Sequence, residues 1–88
     1  MKKKGEEVMG MPLELNTMIV TKGKEERIAN NDFKLTKKGY RLYPLEIPLE
    51  VRKTMEGELT GTGIIKKVVW ENGKTKITYE LISLTSVN

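Results

Sequence analysis

The sequence contains no cysteine and no histidine, and its only aspartate is Asp32. Without thiols the chain has no disulfide, no thiolate metal site and no cysteine nucleophile. Without imidazole it lacks both the commonest zinc ligand and the usual general base at neutral pH. The glutamates do not follow the ligand spacing of a hard-metal loop. We therefore expect a non-enzymatic protein with no metal, no cofactor and no small-molecule substrate.

Long apolar runs are also missing, so no stretch offers the roughly 20 apolar residues of a membrane-spanning helix. Three lysines follow Met1, as in a signal peptide, but Gly5–Glu7 stands where the apolar stretch should begin. Charge is abundant instead: thirteen of the sixteen basic residues are Lys, eleven of the twelve acidic residues are Glu, and the net charge is +4. This composition predicts a cytoplasmic protein whose mildly basic balance permits contact with nucleic acid.

The length of 88 residues allows one domain with a small core. Residues 1–10 are polar, are punctuated by glycine and show no hydrophobic periodicity, which predicts a flexible N-terminal tail. Residues 11–88 contain apolar alternation typical of strands, so we assign them to a single β domain.

A long β-hairpin over residues 60–85 is the clearest structural signal. Asn72-Gly73 at its centre strongly indicates a two-residue turn, because both turn residues need positive φ, which Asn tolerates and Gly adopts freely. The turn fixes the pairing, so Glu71 is expected to face Lys74, and Trp70 to face Thr75.

The predicted pairing divides this hairpin into two faces. The more apolar face, expected to pack on the core, contains Ile64, Lys66, Val68, Trp70, Thr75, Ile77, Tyr79 and Leu81. The second face contains Ile65, Lys67, Val69, Lys76, Thr78, Glu80 and Ile82. A slip of one residue would send the core set to solvent, so the assignment depends on the turn.

The first half of the chain predicts shorter strands. Residues 13–21 begin by alternating and end rich in β-formers, which indicates a strand, and residues 25–28 suit a second one that pairs back. The polar cluster 30–32 indicates a turn between them and the next element. Residues 33–36 and 40–43 then flank a turn at Lys38-Gly39, which predicts a second hairpin.

Pro44 and Pro48 bracket an irregular edge or crossing segment, since proline lacks the N–H of a β-ladder. Residues 49–56 suit a short helix, with Pro48 at its first position and Gly57 past its end, and suit a strand equally well.

Glycines at 57, 61 and 63 indicate a bulge or a sharp bend at the start of the long hairpin. Several short strands with close turns predict an all-β fold. The architecture expected is a small antiparallel, partly open β-barrel of about five or six strands, with the open alternative of one short helix near residues 49–56.

The best functional candidate is a stretch in which basic and aromatic side chains alternate. Cations of this kind meet phosphates while rings stack on bases, which is typical of single-stranded nucleic-acid surfaces. The candidate contacts are Phe33, Lys34, Lys37, Lys38, Tyr40, Arg41 and Tyr43, extended by Lys67, Lys74 and Lys76 on the long hairpin. Two other interpretations stay open: a solvated surface of mixed charge, and a core role for Phe33 and Tyr40.

The alternative function is a structural or regulatory homo-oligomer. Ile65, Val69, Ile82 and Leu84 are expected on the second face of the long hairpin, which a monomer would expose. A second copy could cover that face, and so could another segment of the same chain.

Two segments carry a resemblance to a known family, Met11 to Val20 and Trp70 to Leu81. They resemble a family of short, uncharacterised proteins of Gram-positive bacteria, and the similarity extends over nearly all of the chain from about Met9. The family has no established activity. The resemblance therefore implies a bacterial cytosolic protein and transfers no site residues.

Overall fold

A computed structural model describes residues 13–57 and 59–84, so the predicted tail at 1–10 lies outside the described residues. Within these ranges the chain forms strands and no helix, which confirms the all-β class. The strands are β1 (Leu13–Leu15), β2 (Met18–Val20), β3 (Glu26–Ala29), β4 (Asp32–Lys38), β5 (Tyr40–Leu42), β6 (Pro48–Arg52), β7 (Leu59–Glu71) and β8 (Lys74–Leu84).

Six of these strands form one sheet in the order β2-β6-β7-β8-β4-β3, and β1 pairs separately with β5. Both β1–β5 and β2–β6 are parallel pairs, whereas the other pairs are antiparallel. The sheet is not closed into a barrel among the described strands, because β2 and β3 stay at its opposite edges. The mostly antiparallel pairing was predicted, but the parallel pairs were not.

The tight turn of the long hairpin is confirmed. Asn72 and Gly73 have φ angles of 53° and 75°, the positive values that this turn requires. Trp70 pairs with Thr75, and Glu71 pairs with Lys74, as the turn predicted. The strands on either side of the turn therefore start in the expected register.

A β-bulge at Lys66 corrects the faces further from the turn. Lys67 pairs with Thr78 and Ile65 pairs with Tyr79, so Lys66 has no partner of its own. The regular register that the turn predicts would pair Lys66 with Tyr79, so that prediction is wrong from this residue onward. The extra residue reverses which residues of β7 face the core on the side of the bulge further from the turn. Ile65 is consequently 0% exposed in the core, whereas Ile64 is only half-buried.

The predicted hairpin over residues 33–43 is wrong. β4 pairs along its whole length with β8, and β5 leaves the six-stranded sheet to pair with β1. Gly39 does adopt a left-handed φ of 79°. It bends the chain between two strands of different sheets, however, and does not reverse it.

Residues 48–52 form strand β6, and the residues after them form turns, so the helical alternative is excluded. β6 fits between β2 and β7 because Leu49 and Val51 alternate into the core. The bulge predicted from the glycines is confirmed. The register shifts by one residue at Thr60 and again opposite Gly63, at Ile82.

The core lies on one face of the sheet, which we call the concave face because side chains from β2 and β8 converge over β7 there. Gly63 lies against this core, since a β-carbon there would lie 3.1 Å from Tyr79, 3.2 Å from Val51 and 3.3 Å from Ile19. The buried apolar side chains are Ile19, Leu35, Tyr43, Leu49, Val51, Ile65, Ile77 and Tyr79. The opposite, convex face of β4, β8 and β7 carries none of them.

Candidate nucleic-acid interface

The convex face of β4, β8 and β7 gathers lysines into rows across three strands. Pairing in the two ladders aligns Lys38 with Lys74 and Glu71, and Lys76 with Thr36 and Val69, and it places Thr78 between Lys34 and Lys67. We call the five exposed side chains the lysine face: Lys34, Lys38, Lys67, Lys74 and Lys76. The sequence predicted all five as contacts, and the register brings them together.

One carboxylate lies inside the lysine face. Glu71 Oε1 is 3.3 Å from the Nζ of Lys76, and both side chains are about half exposed, so this ion pair is weak. At the border, Lys66 Nζ lies 3.3 Å from Glu46 and 3.7 Å from Glu80. The lysine face therefore keeps an excess of positive charge, whereas the charge of Lys66 is largely neutralised.

The aromatic candidates lie on the other side of the sheet. The Phe33 ring stacks on Tyr79 with centroids 5.5 Å apart, and the Arg27 guanidinium lies 5.2 Å from its centroid. Tyr43 is only 8% exposed and belongs to the core. These rings are not displayed beside the lysines, because alternation along β4 sends Phe33 inward and Lys34 outward. Stacking of bases between the lysines is therefore not available to this face.

Tyr40 and Arg41 belong to a crossing segment, residues 39–43, that is bound to the hairpin tip. The Gly73 N–H donates to the Tyr40 hydroxyl at 2.8 Å, and the Trp70 indole N–H donates to the Arg41 carbonyl at 2.8 Å. The Tyr40 and Trp70 rings meet edge to face with centroids 6.2 Å apart. Trp70 thus faces inward, as predicted, although 38% of it is exposed at the end of the sheet.

Thr75 is a residue whose role the sequence did not indicate. Its hydroxyl donates to the Gly39 carbonyl at 2.7 Å and accepts from the Arg41 N–H at 2.9 Å, and the residue is 0% exposed. A threonine on the apolar face of the predicted hairpin was the available signal, because a buried hydroxyl needs a partner.

Lys37 also faces inward, away from the other lysines of β4. It continues the face of Phe33 and Leu35, so the core side of the strand ends in a cation. Burial, together with the positive charge of Arg41, lowers the pKa of Lys37 below its usual value. Lys37 and Arg41 therefore belong to a different surface from the lysine face.

The described residues contain no group of three or more acidic, histidine or cysteine side chains that could hold a metal ion. They include no helix of the length and apolarity required to span a membrane.

Comparison with known proteins identifies the family. A family model described as a domain of unknown function, DUF2584, matches residues 9–88. The chain belongs to the DUF2584 family. The resemblance predicted from two short segments of the sequence is thereby confirmed.

A curated relative and a solved structure support the same assignment. The "Uncharacterized protein YtmB" of Bacillus subtilis (strain 168) is 62% identical over 80 residues, which cover 91% of this chain and 100% of that protein. The X-ray crystal structure of ytmB from Bacillus subtilis matches with a TM-score of 0.86 and 61% identity, over 91% of this chain and 99% of that one. This chain and its Bacillus subtilis relative therefore share the fold of the DUF2584 family.

Proposed function

We propose that this protein is a cytoplasmic, non-enzymatic binding module whose lysine face contacts the phosphate backbone of nucleic acid. The observation that carries the proposal is the pairing register, which aligns five lysines from three strands on one exposed face. Alternate residues on a strand are roughly 7 Å apart and neighbouring strands about 5 Å apart. The ammonium groups therefore form a patch, and such a patch attracts a polyanion through release of its counterions.

The direct pairing of Lys38 with Lys74 supports this function. Like charges opposite each other on neighbouring strands disfavour folding. A positive patch that works against stability is expected where an anionic partner compensates for it, which is the trade-off common at binding surfaces.

The mode of binding follows from the separation of lysines and rings. Phosphate contacts position a protein on nucleic acid but carry no sequence information. Since Phe33 and Tyr43 pack inside, bases are not read by stacking, and lysine provides point charges in place of the bidentate contacts of arginine. We expect little preference among sequences, and similar binding of single and double strands.

Fluorescence anisotropy with labelled single-stranded and duplex oligonucleotides tests the proposal. Replacing Lys38 and Lys74 together by Gln should weaken binding on the order of tenfold, because two charged contacts are lost. The matched control replaces Lys24 and Lys53, which are exposed but lie off the lysine face, and should leave binding nearly unchanged. Absence of binding, or equal weakening in both double variants, would exclude the lysine face as the contact surface.

A homo-oligomer is the second candidate, and it is supported by exposed apolar side chains near the C-terminal end of β8. Ile82 is 45% exposed and Leu84 is 76% exposed. Ile65, which the sequence also predicted on this face, packs in the core and does not contribute to an exposed apolar surface. Light scattering over a range of concentrations tests this candidate. A mass that rises with concentration and falls in Leu84→Lys would support it, whereas a strict monomer would remove it.

A further inference from the structure

A cleft on the concave side of the molecule lies away from the lysine face. It has a volume of about 400 Å³ and opens beside the break between β1 and β2. Residues 16–17 line the cleft where the chain passes from the β1–β5 pair to β2 of the six-stranded sheet. The polar and charged side chains that line it are Glu14, Asn16, Thr17, Lys22, Lys37, Arg41 and Tyr43.

Arg41 is held in place at one wall of the cleft. Its Nε donates to the Lys38 carbonyl at 3.0 Å, and its Nη1 donates to Asn16 Oδ1 at 3.3 Å. Glu14 Oε1 lies 3.7 Å from the same Nη1. A guanidinium carries five N–H donors in a fixed plane, so these contacts orient the group and leave donors for a ligand.

Lys37 supplies a second cation from the floor of the cleft. Strand alternation points it to the concave side, and within the described residues none of the ion pairs involves it. Its pKa is lowered first by burial, and then by the positive charges of Arg41, Lys22 and Lys24. Crowding of cations at a partly buried group is unfavourable unless an anion joins them.

The lining charges do not balance. Lys22, Lys37 and Arg41 face a single carboxylate, Glu14, which leaves two positive charges around the cleft. A phosphate group carries a charge of about −1.5 to −2 at pH 7 and offers three acceptor oxygens. One carboxylate ligand would compensate only half of the excess.

We propose that this cleft binds a phosphate dianion, either as inorganic phosphate or as the phosphate group of a small metabolite. Arg41 and Lys37 donate to the phosphate oxygens, and the hydroxyl of Tyr43, which also lines the cleft, is a further donor. The site is separate from the lysine face, so it stands whether or not the protein binds nucleic acid.

An NMR titration of the full-length chain with inorganic phosphate at constant ionic strength tests the site. Backbone amide signals of Asn16, Thr17 and Arg41 should shift and saturate, and the pKa of the Lys37 ammonium should rise when phosphate is present. The second readout uses the unmodified protein, so it does not depend on whether a variant folds. Shifts that do not saturate, or an unchanged Lys37 pKa, would overturn the proposal.

Lys37→Gln gives the matching variant, and Lys53→Gln is its control, because Lys53 is exposed and lies outside both the lysine face and the cleft lining. We expect phosphate affinity to fall roughly tenfold in the first and to stay unchanged in the second, because one charged donor is lost. Equal affinity in both variants would contradict the site. A simple phosphate monoester that binds more tightly than inorganic phosphate would identify a metabolite as the ligand, and equal binding would identify inorganic phosphate.

The pH dependence separates a dianion site from a general preference for anions. A phosphate monoester becomes a monoanion below its second pKa of about 6, and inorganic phosphate also gains a proton as the pH falls, whereas sulfate stays a dianion. Phosphate affinity should therefore fall between pH 7 and pH 5 while sulfate affinity stays constant. A parallel response of the two anions would contradict a site selected by charge.

Discussion

At the scale of single residues, Thr75 joins the hairpin tip to the crossing segment through both functions of its hydroxyl. Thr75→Val keeps the shape but leaves the Arg41 N–H and the Gly39 carbonyl without that partner. A fully buried polar group left unpaired costs about 1–3 kcal/mol, and these two groups are only partly buried, so we expect the free energy of unfolding to fall by about 2–4 kcal/mol. Urea denaturation measures this change.

Thr78→Val provides the comparison, because Thr78 lies on the convex face between Lys34 and Lys67. Surface substitutions of this kind stay within about 0.5 kcal/mol. Equal losses in the two variants would show that the hydroxyl bonds of Thr75 do not hold the crossing segment.

Tyr79 predicts how stability changes at alkaline pH. Burial, and to a lesser degree the Glu25 carboxylate, raises the pKa of Tyr79 to about 12. Because this folded-state value exceeds the usual 10 of an unfolded chain, the contribution is complete below pH 10 and is lost as pH rises towards 12. We expect a loss of roughly 2 kcal/mol over this range, measured by urea denaturation at each pH.

Tyr79→Phe isolates this contribution. The pKa of Tyr43 is also raised, by burial, and that of Lys37 is lowered, so the chain contains other groups that titrate in the same range. The variant should lose stability less steeply between pH 10 and pH 12 than the unmodified protein. An identical slope would show that Tyr79 ionises as freely in the folded state as in the unfolded chain.

At the scale of elements, the bulge at Lys66 sets which residues of β7 enter the core. Deleting Lys66 would restore regular pairing and turn Ile65 outward, or force the rest of the strand to slip. We expect this deletion to lower the free energy of unfolding by more than about 3 kcal/mol, as for removal of a large core side chain. Thermal and urea unfolding measure the change.

Lys66→Ala retains the bulge and is the control for the deletion. It removes only the exposed ion pairs with Glu46 and Glu80, which are worth about 1 kcal/mol or less. A deletion no more harmful than this substitution would mean that the bulge does not determine the faces of the strand.

The same element shows what the sequence could and could not predict. The turn at Asn72-Gly73 was predictable because local backbone chemistry decides it. The bulge was not, because the doublets Ile64-Ile65 and Lys66-Lys67 fit either phase of a two-residue period. The register that places Ile65 in the core also brings Gly63 close to Ile19 and Val51. These residues are distant from Gly63 in the sequence, so local patterns do not reveal the contact.

The candidate site was predictable in part for the same reason. Alternation alone separates Lys34 and Lys38 from Phe33 and Lys37, so the sides of β4 could be assigned from the sequence. The partner strand of β4 could not be predicted, because its pairing with β8 in place of residues 40–43 depends on the arrangement of the whole sheet. The aromatic side chains were predicted on the wrong surface, because their rings pack inside the small core.

At the scale of the whole molecule, the two surfaces of the curved sheet have different roles. The concave side holds the core and the cation-lined cleft, while the convex side holds the lysine face. We propose that this convex patch binds phosphates by charge. The affinity for nucleic acid must then depend on the salt concentration and on which lysines are present, and only slightly on the nucleotide sequence.

The most direct test is the dependence of oligonucleotide affinity on salt concentration. If four or five lysines contact phosphates, log Kobs against log salt should have a slope between about −3 and −4.5. The double variant at Lys38 and Lys74 should be shallower by about 1.5, and the double variant at Lys24 and Lys53 should match the unmodified protein. A salt-independent affinity, or one slope for all three proteins, would contradict phosphate binding by the lysine face.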